Sequence, residues 1–290
     1  MGFGSLRALV TREDTDGASR ITSWRKQPSV VTAAGFWQDL SMAPGNPKPN
    51  YYASAPQVAA TLAQSTDGGL WHGSNVAPST KHLRKWMAMT VTAAAVPLPM
   101  TLCDYLLYYP FLDESVLDEE QVMVQTQTLT RYVSGDGVQM MAVVVAGHTV
   151  GTGTLFTVNY TNSLGVAGRT SGQVQLGTQF VNGTIATTAN ATLKCNGPFI
   201  PLQARDLGVR SIEGITFSGV ADVGLITLVL VKPLADLSLR TIDAPVEVDF
   251  LVDRPGCPQI VDDAYLNFIC LANGSLSAAP IHGVATYVWS

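Results

Sequence analysis

Residues 81–113 read KHLRKWMAMTVTAAAVPLPMTLCDYLLYYPFLD. From Trp86 to Cys103 the run carries no charge, and it resumes after Asp104 as YLLYYPFL. About 20 apolar residues cross a bilayer as a helix, so a membrane span has to be weighed first. Pro97 and Pro99, two residues apart, would each remove a helical hydrogen bond and clash with the preceding turn. Asp104 would lie inside the span at a cost of several kcal/mol. The stretch therefore predicts two buried β-strands, about 85–95 and 100–109, separated by a Pro-x-Pro corner. No membrane partner is expected.

The composition extends this reading to the surface. Of the 290 residues, 13% are charged, about half the ~25% usual in soluble domains, and six are lysines. Such a surface suits a chain covered by other subunits, as in a homo-oligomer. The net charge of -5 and pI near 5.3 leave no basic footprint for a specific nucleic-acid partner. Cys103, Cys195, Cys257 and Cys270 are too few and too scattered for a disulfide framework. Cys103 and Cys270 fall in apolar runs as small buried hydrophobes. The start, MGFGSLRALV, lacks an apolar segment followed by a small-residue cleavage site, so synthesis in a reducing cytoplasm is expected.

Residues 1–56 read as an extended N-terminal arm. Their apolar residues are unpatterned, and MAPGNPKPNYYASAP (42–56) holds four prolines. Trp24, Trp37, Tyr51 and Tyr52 in this arm are the candidates for subunit contacts, since aromatic anchors carry much interface energy. Residues 57–290 form the β domain, opening with a short helix at 57–65. DESVLDEEQ (113–121) gathers five acidic residues without the spacing of a calcium loop, and reads as a solvated helical turn. Ser134-Gly135-Asp136-Gly137 predicts a hairpin between 128–133 and 138–145. Further strands are expected at 154–161, 168–176, 183–193, 212–217, 224–231, 246–252, 264–271 and 283–289. TLFTVNYT (154–161) alternates cleanly, and GLITLVLV (224–231) is apolar on both faces and predicts burial on both sides. Many short strands with Gly/Asn turns define an all-β protein, a jelly-roll-like β-sandwich.

Motifs for chemistry are missing. There is no G-x-S-x-G elbow, and His72, His82, His148 and His282 stand apart from one another and from any cysteine pair at zinc spacing. GHTVGTG (147–153) lacks the P-loop lysine. A glycosidase needs only two carboxylates brought together by the fold, which leaves Asp104, Asp222, Asp249, Asp262 and Asp263 formally open. Capped turns and paired buried groups are the commoner use of such residues. Asn159, Asn182, Asn190 and Asn273 begin N-x-Ser/Thr sequons, which Asn/Gly/Thr-rich strands produce by chance. No catalytic, cofactor-binding or metal-ligating residue is assigned.

Four stretches carry a resemblance: PLPMTLCDYLLYYPFLDE (97–114), VNYTNSLGVAGR (158–169), GVRSIEGITFSGVADVGLITLVLVKPLA (208–235) and DDAYLNFICLANGSL (262–276). They resemble a family of virion structural proteins of tailed bacteriophages, over about 69–289. The resemblance implies a non-enzymatic place in the virion, made in the host cytoplasm, with capsid shell subunits as partners. A head decoration, cement or minor capsid protein fits best. A major capsid protein, a tail or baseplate component, and a receptor- or glycan-binding module displaying Trp71 and Tyr108 are the alternatives. The common tailed-phage shell fold needs a long spine helix, and no amphipathic run of that length is present.

Overall fold

The computed structural model describes residues 3–29, 32, 34–149, 153–176, 181–186, 197–253 and 256–290. In chain order its strands are β1 (Ser19–Lys26), β2 (Phe36–Asp39), β3 (Gly45–Asn46), β4 (Ala60–Thr61), β5 (Lys81–Thr90), β6 (Leu98–Asp113), β7 (Glu120–Val122), β8 (Gln139–Ala146), β9 (Thr154–Asn162), β10 (Arg169–Thr170), β11 (Val174–Gln175), β12 (Val209–Gly219), β13 (Leu225–Leu239), β14 (Val246–Asp249), β15 (Gln259–Ile260), β16 (Leu266–Ala272) and β17 (Ile281–Trp289). Among the described residues helix is confined to α1 (Leu6–Val10), which runs into a π-helical turn at Thr11–Thr15, α2 (Gln64–Asp67) and two 3-10 turns. Among the described residues no helix is long and apolar enough to cross a membrane. The all-β expectation holds, and every pairing between these strands is antiparallel.

The Lys81–Asp113 stretch is two strands, as its prolines predict. They do not pair with each other. β5 lies in a first sheet ordered β14-β5-β17-β1-β3, and the Pro97–Pro99 corner delivers β6 into a second, ordered β2-β16-β6-β13-β8. A third sheet runs β10-β9-β12-β7. β6 and β13 have 16 and 15 residues, about 50 Å each at ~3.3 Å per residue. That length lets one sheet back two others.

The division of side chains shows how. Leu98, Met100 and Leu102 of β6 and Leu237 and Leu239 of β13 enter a core with Leu83, Trp86, Phe268 and Tyr287. Tyr109 and Leu112 of β6 and Ile226, Leu228 and Leu230 of β13 enter another, with Phe156, Val158, Ile215 and Phe217 of the third sheet. Register shifts between β6 and β13 keep both sets on one face despite the change of numbering parity. The opposite face carries Cys103, Tyr105, Val229 and Val231, covered by Met42, Tyr52, Leu62 and Ile185 from connecting segments. GLITLVLV is thus buried on both sides from Ile226 onward, with Ile226, Leu228 and Leu230 in one core and Val229 and Val231 in the other.

Several expectations are corrected. Residues 57–65 do not form one helix: Ala60–Thr61 pair with Tyr108 and Leu107 on β6, and helix starts only at Gln64. The 128–133 flank of the expected hairpin is not a strand, although Gly135 and Gly137 take the positive φ expected of the turn. Arg131 explains it. Its guanidinium is drawn inside to Asp104 (2.8 and 2.9 Å) and to the carbonyls of Leu62 and Tyr105, which holds the segment away from a ladder. The acidic run 113–121 is not a solvated helical turn. Glu114 is fully buried, and residues 120–122 are β7. Of the strand expected at 183–193, Thr184 and Ile185 make isolated bridges, and 187–193 lies outside the described residues, as do Cys195 and Asn190.

Residues 1–56, expected as an arm ahead of the domain, lie on and within the domain itself. β1 pairs with β17 from Ser19–Val288 to Lys26–Ile281, and β2 pairs with β16. A segment with few apolar residues is held because its polar groups find main-chain partners: Lys26 is buried with its Nζ donating to the carbonyls of Ala43 (3.0 Å) and Pro47 (2.8 Å). Burial pushes that ammonium down to about 8, against the opposing attraction of Asp39.

Candidate interaction surface

The four aromatic candidates part company. Trp24, inward-facing on β1, is 2% exposed with its ring 4.3 Å from that of Phe268, which also stacks on Trp86 at 5.7 Å. Tyr52 is wholly buried. Its hydroxyl and that of Ser41 lie 2.5 Å from Asp39 Oδ2, and Tyr105 donates to Oδ1 at 2.7 Å. Burial raises the Asp39 carboxyl, and these donors oppose the shift. Neither Trp24 nor Tyr52 has surface to offer a neighbour, which corrects their assignment as subunit contacts. Trp37 is half-buried on β2, and Tyr51 is 56% exposed. Tyr108 is also buried, so it does not share an exposed loop face with Trp71.

The carboxylates left open by the sequence are each engaged. Asp104 is buried in the bidentate pair with Arg131 and accepts from the Tyr265 N–H at 3.0 Å; burial raises its pKa, opposed by the guanidinium. Asp222 caps Thr149 and Val223. Asp249 accepts from Arg84 and from the Leu251 and Val252 N–H groups. Asp262 caps Val76 and Ala77, while its neighbour Asp263 caps Ser65. Each carboxylate thus already holds its own donors, and Asp263 lies near enough to Asp104 to add to the upward shift of its carboxyl. His72 accepts at Nδ1 from the Lys81 ammonium (3.0 Å) and donates from Nε2 to the Ala264 carbonyl (3.0 Å). His148 sits 3.5 Å from buried Glu114, whose pKa burial raises and His148 partly restores. Among the described residues no group of three His, Cys, Asp or Glu is placed to hold a metal ion.

What the fold does present to solvent is a cluster of aliphatic side chains at one end of the third sheet. Three loops meet there. Gly137 N–H donates to the Leu207 carbonyl (2.9 Å), and Ser163 N–H to that of Gly208 (2.9 Å). At Gly208 a Cβ would meet the Gly135 carbonyl, so the loops close only over glycine. Leu164 and Leu207, 78% and 70% exposed, stand on them with exposed Val133 and Val166. Asp206 braces the platform. It accepts from Arg169 through two nitrogens (3.0 and 3.1 Å), from the Tyr160 hydroxyl (2.6 Å) and from Asn162 Nδ2 (2.7 Å). The Arg169 hydrogen bond and the other donors pull its carboxyl down to about 2, against a smaller opposing effect of desolvation. The sequence signal for this surface was leucine and valine inside turns such as Asn162-Ser163-Leu164-Gly165, where polar residues are the rule.

No protein-family model and no curated protein matches the chain. Solved structures similar to it include "Structure of infectious bursal disease virus Gt strain", at 9% identity and a TM-score of 0.19 over 93% of this chain and 80% of that one. "Crystal structure of infectious bursal disease virus VP2 subviral particle" is similar at 9% identity and a TM-score of 0.19, over 94% of this chain and 81% of that one. At such scores the likeness carries no argument about this chain.

Proposed function

We propose that this chain is a non-enzymatic structural protein of a tailed-phage virion, a head decoration, cement or minor capsid protein that joins capsid shell subunits. The observation that carries the reading is the aliphatic loop cluster of Val133, Leu164, Val166 and Leu207 on its Asp206-braced base. Exposed apolar side chains on loops that hydrogen-bond to one another mark a contact surface more than a reaction site. The low charge of the whole chain and the resemblance of four stretches to virion proteins support the same role.

The test is incorporation. Leu164→Asp with Leu207→Asp leaves every core residue in place, so the purified variant is expected to unfold at the wild-type midpoint while its copy number per purified head falls. Unchanged copy number, or recovery of the wild-type chain only with separated tails, defeats the decoration role.

A further inference from the structure

Among the described residues, the first sheet is left open along part of its β1 edge. β17 pairs with β1 along its whole length, but on the other side β3 covers only Arg25 and Lys26. Four contacts fix which main-chain groups face outward. Trp289 N–H donates to the Ala18 carbonyl, so even-numbered residues of β1 face β17. Gly45 packs on the Arg25 carbonyl, Asn46 Nδ2 donates to that of Ser23 (3.1 Å), and Gln27 N–H donates to Pro44. Odd-numbered residues therefore point off the sheet. The N–H and C=O of Ser19 and Ile21 and the N–H of Ser23 have no main-chain partner among the described residues, and the Ile21 side chain is 70% exposed.

The edges at β14, β7, β2 and β8 are blunted. On β14 the outward Asp249 N–H is taken by Asp253 Oδ2 (2.8 Å), beside Glu247. β7 has three residues and begins with Glu120. Residues 184 and 185 bridge to Gln38 of β2 and Val143 of β8. Natural sheets use charge, shortness and cover in this way to prevent edge pairing. From Ser19 to Ser23 the outward positions are Ser, Ile and Ser, with no proline, bulge or charge among them.

We infer that this edge pairs with the same edge of a second copy of the chain, antiparallel, about a two-fold axis through Ile21. Parity selects the register. Residues that exchange both main-chain bonds across an antiparallel pair must both face outward, so odd lies opposite odd. Centred on Ile21, the pair sets Ile21 against Ile21, Ser19 against Ser23 and Arg20 against Thr22, with no like charges directly opposed. Centring on Arg20 or Thr22 would set Ile21 against serine instead. The contact is self-complementary, as a two-fold interface requires. It does not depend on the virion role proposed above.

Sedimentation of the purified full chain tests it. The wild type is expected to equilibrate between 30.8 kDa and twice that mass. Ile21→Pro removes an outward N–H and no bond to β17, and Ile21→Lys sets like charges across the axis. Each is expected to weaken the dimer by about tenfold or more, with the circular dichroism and unfolding midpoint of the wild type. Should the proline variant fail to fold, the lysine variant carries the test. Mixing Ile21→Lys with Ile21→Glu is expected to restore a dimer. A wild type that stays monomeric up to about 100 μM, an oligomer of any size indifferent to the lysine substitution, or no association in the Lys/Glu mixture overturns the inference.

Discussion

Arg131 and Asp104 form a fully buried charged pair, and each also serves the main chain: the guanidinium holds the Leu62 and Tyr105 carbonyls, the carboxylate the Tyr265 N–H. Removing one partner strands the other in the core. Arg131→Met is therefore expected to cost about 3–5 kcal/mol, measured by urea unfolding. A loss under about 1 kcal/mol would mean the pair behaves as a solvated one. His72 makes a different prediction. Burial first, then the neighbouring Lys81 ammonium, push its imidazole down to about 4. As pH falls from about 6.5, the unfolded chain takes up this proton before the folded one does, so stability drops between about pH 6.5 and 4. At ~1.4 kcal/mol per pH unit the total is about 3 kcal/mol. His72→Gln is expected to flatten that slope in thermal unfolding, and an unchanged slope would remove His72 as its source. Neither role was readable from the sequence. Asp104 showed only as a charge in an apolar run, and its partner lies 27 positions away in a stretch that looked like a hairpin strand.

Among the elements, those legible in sequence were the ones whose own side chains pay for their burial. TLFTVNYT and GLITLVLV declare their faces because each buried side is apolar, and β9 and β13 follow them. Leu228 on β13 lies in the core against the third sheet, so Leu228→Ala is expected to cost about 2–5 kcal/mol, read from the urea midpoint. β1 and β2 were illegible for the opposite reason. Their partners, β17 and β16, come more than 200 residues later, and Lys26, Gln38 and Asp39 are buried by hydrogen bonding instead of apolarity. The consequence is testable by truncation. Removing residues 2–50 takes away both strands, Trp24 beneath Phe268 and the Asp39 end of the Tyr52 and Tyr105 hydroxyl bonds. The truncated chain is expected to lose cooperative unfolding in calorimetry; a sharp transition near the wild-type temperature would show that these residues are an appendage.

For the whole molecule, the decisive feature is that β6 and β13 pass through both cores on the same face of one sheet. Two cores of this size would ordinarily make two domains able to unfold separately. Here neither can open without stripping the sheet that backs the other: losing the first leaves Leu98, Met100, Leu237 and Leu239 bare on strands whose other halves carry Tyr109, Leu112, Ile226 and Leu228. The ladder joining β6 to β13 runs unbroken in pairing, apart from its register shifts, from Leu225–Asp113 to Leu239–Leu98. The molecule is thus expected to melt as one unit. Trp86→Ala in the first core and Phe217→Ala in the second, each costing about 3–5 kcal/mol, should both lower a single calorimetric peak. Its calorimetric and van't Hoff enthalpies should agree. Two peaks, with each substitution moving only one of them, would show instead that the shared strands fail to couple the cores, and that the molecule divides within β6, between Leu102 and Tyr109.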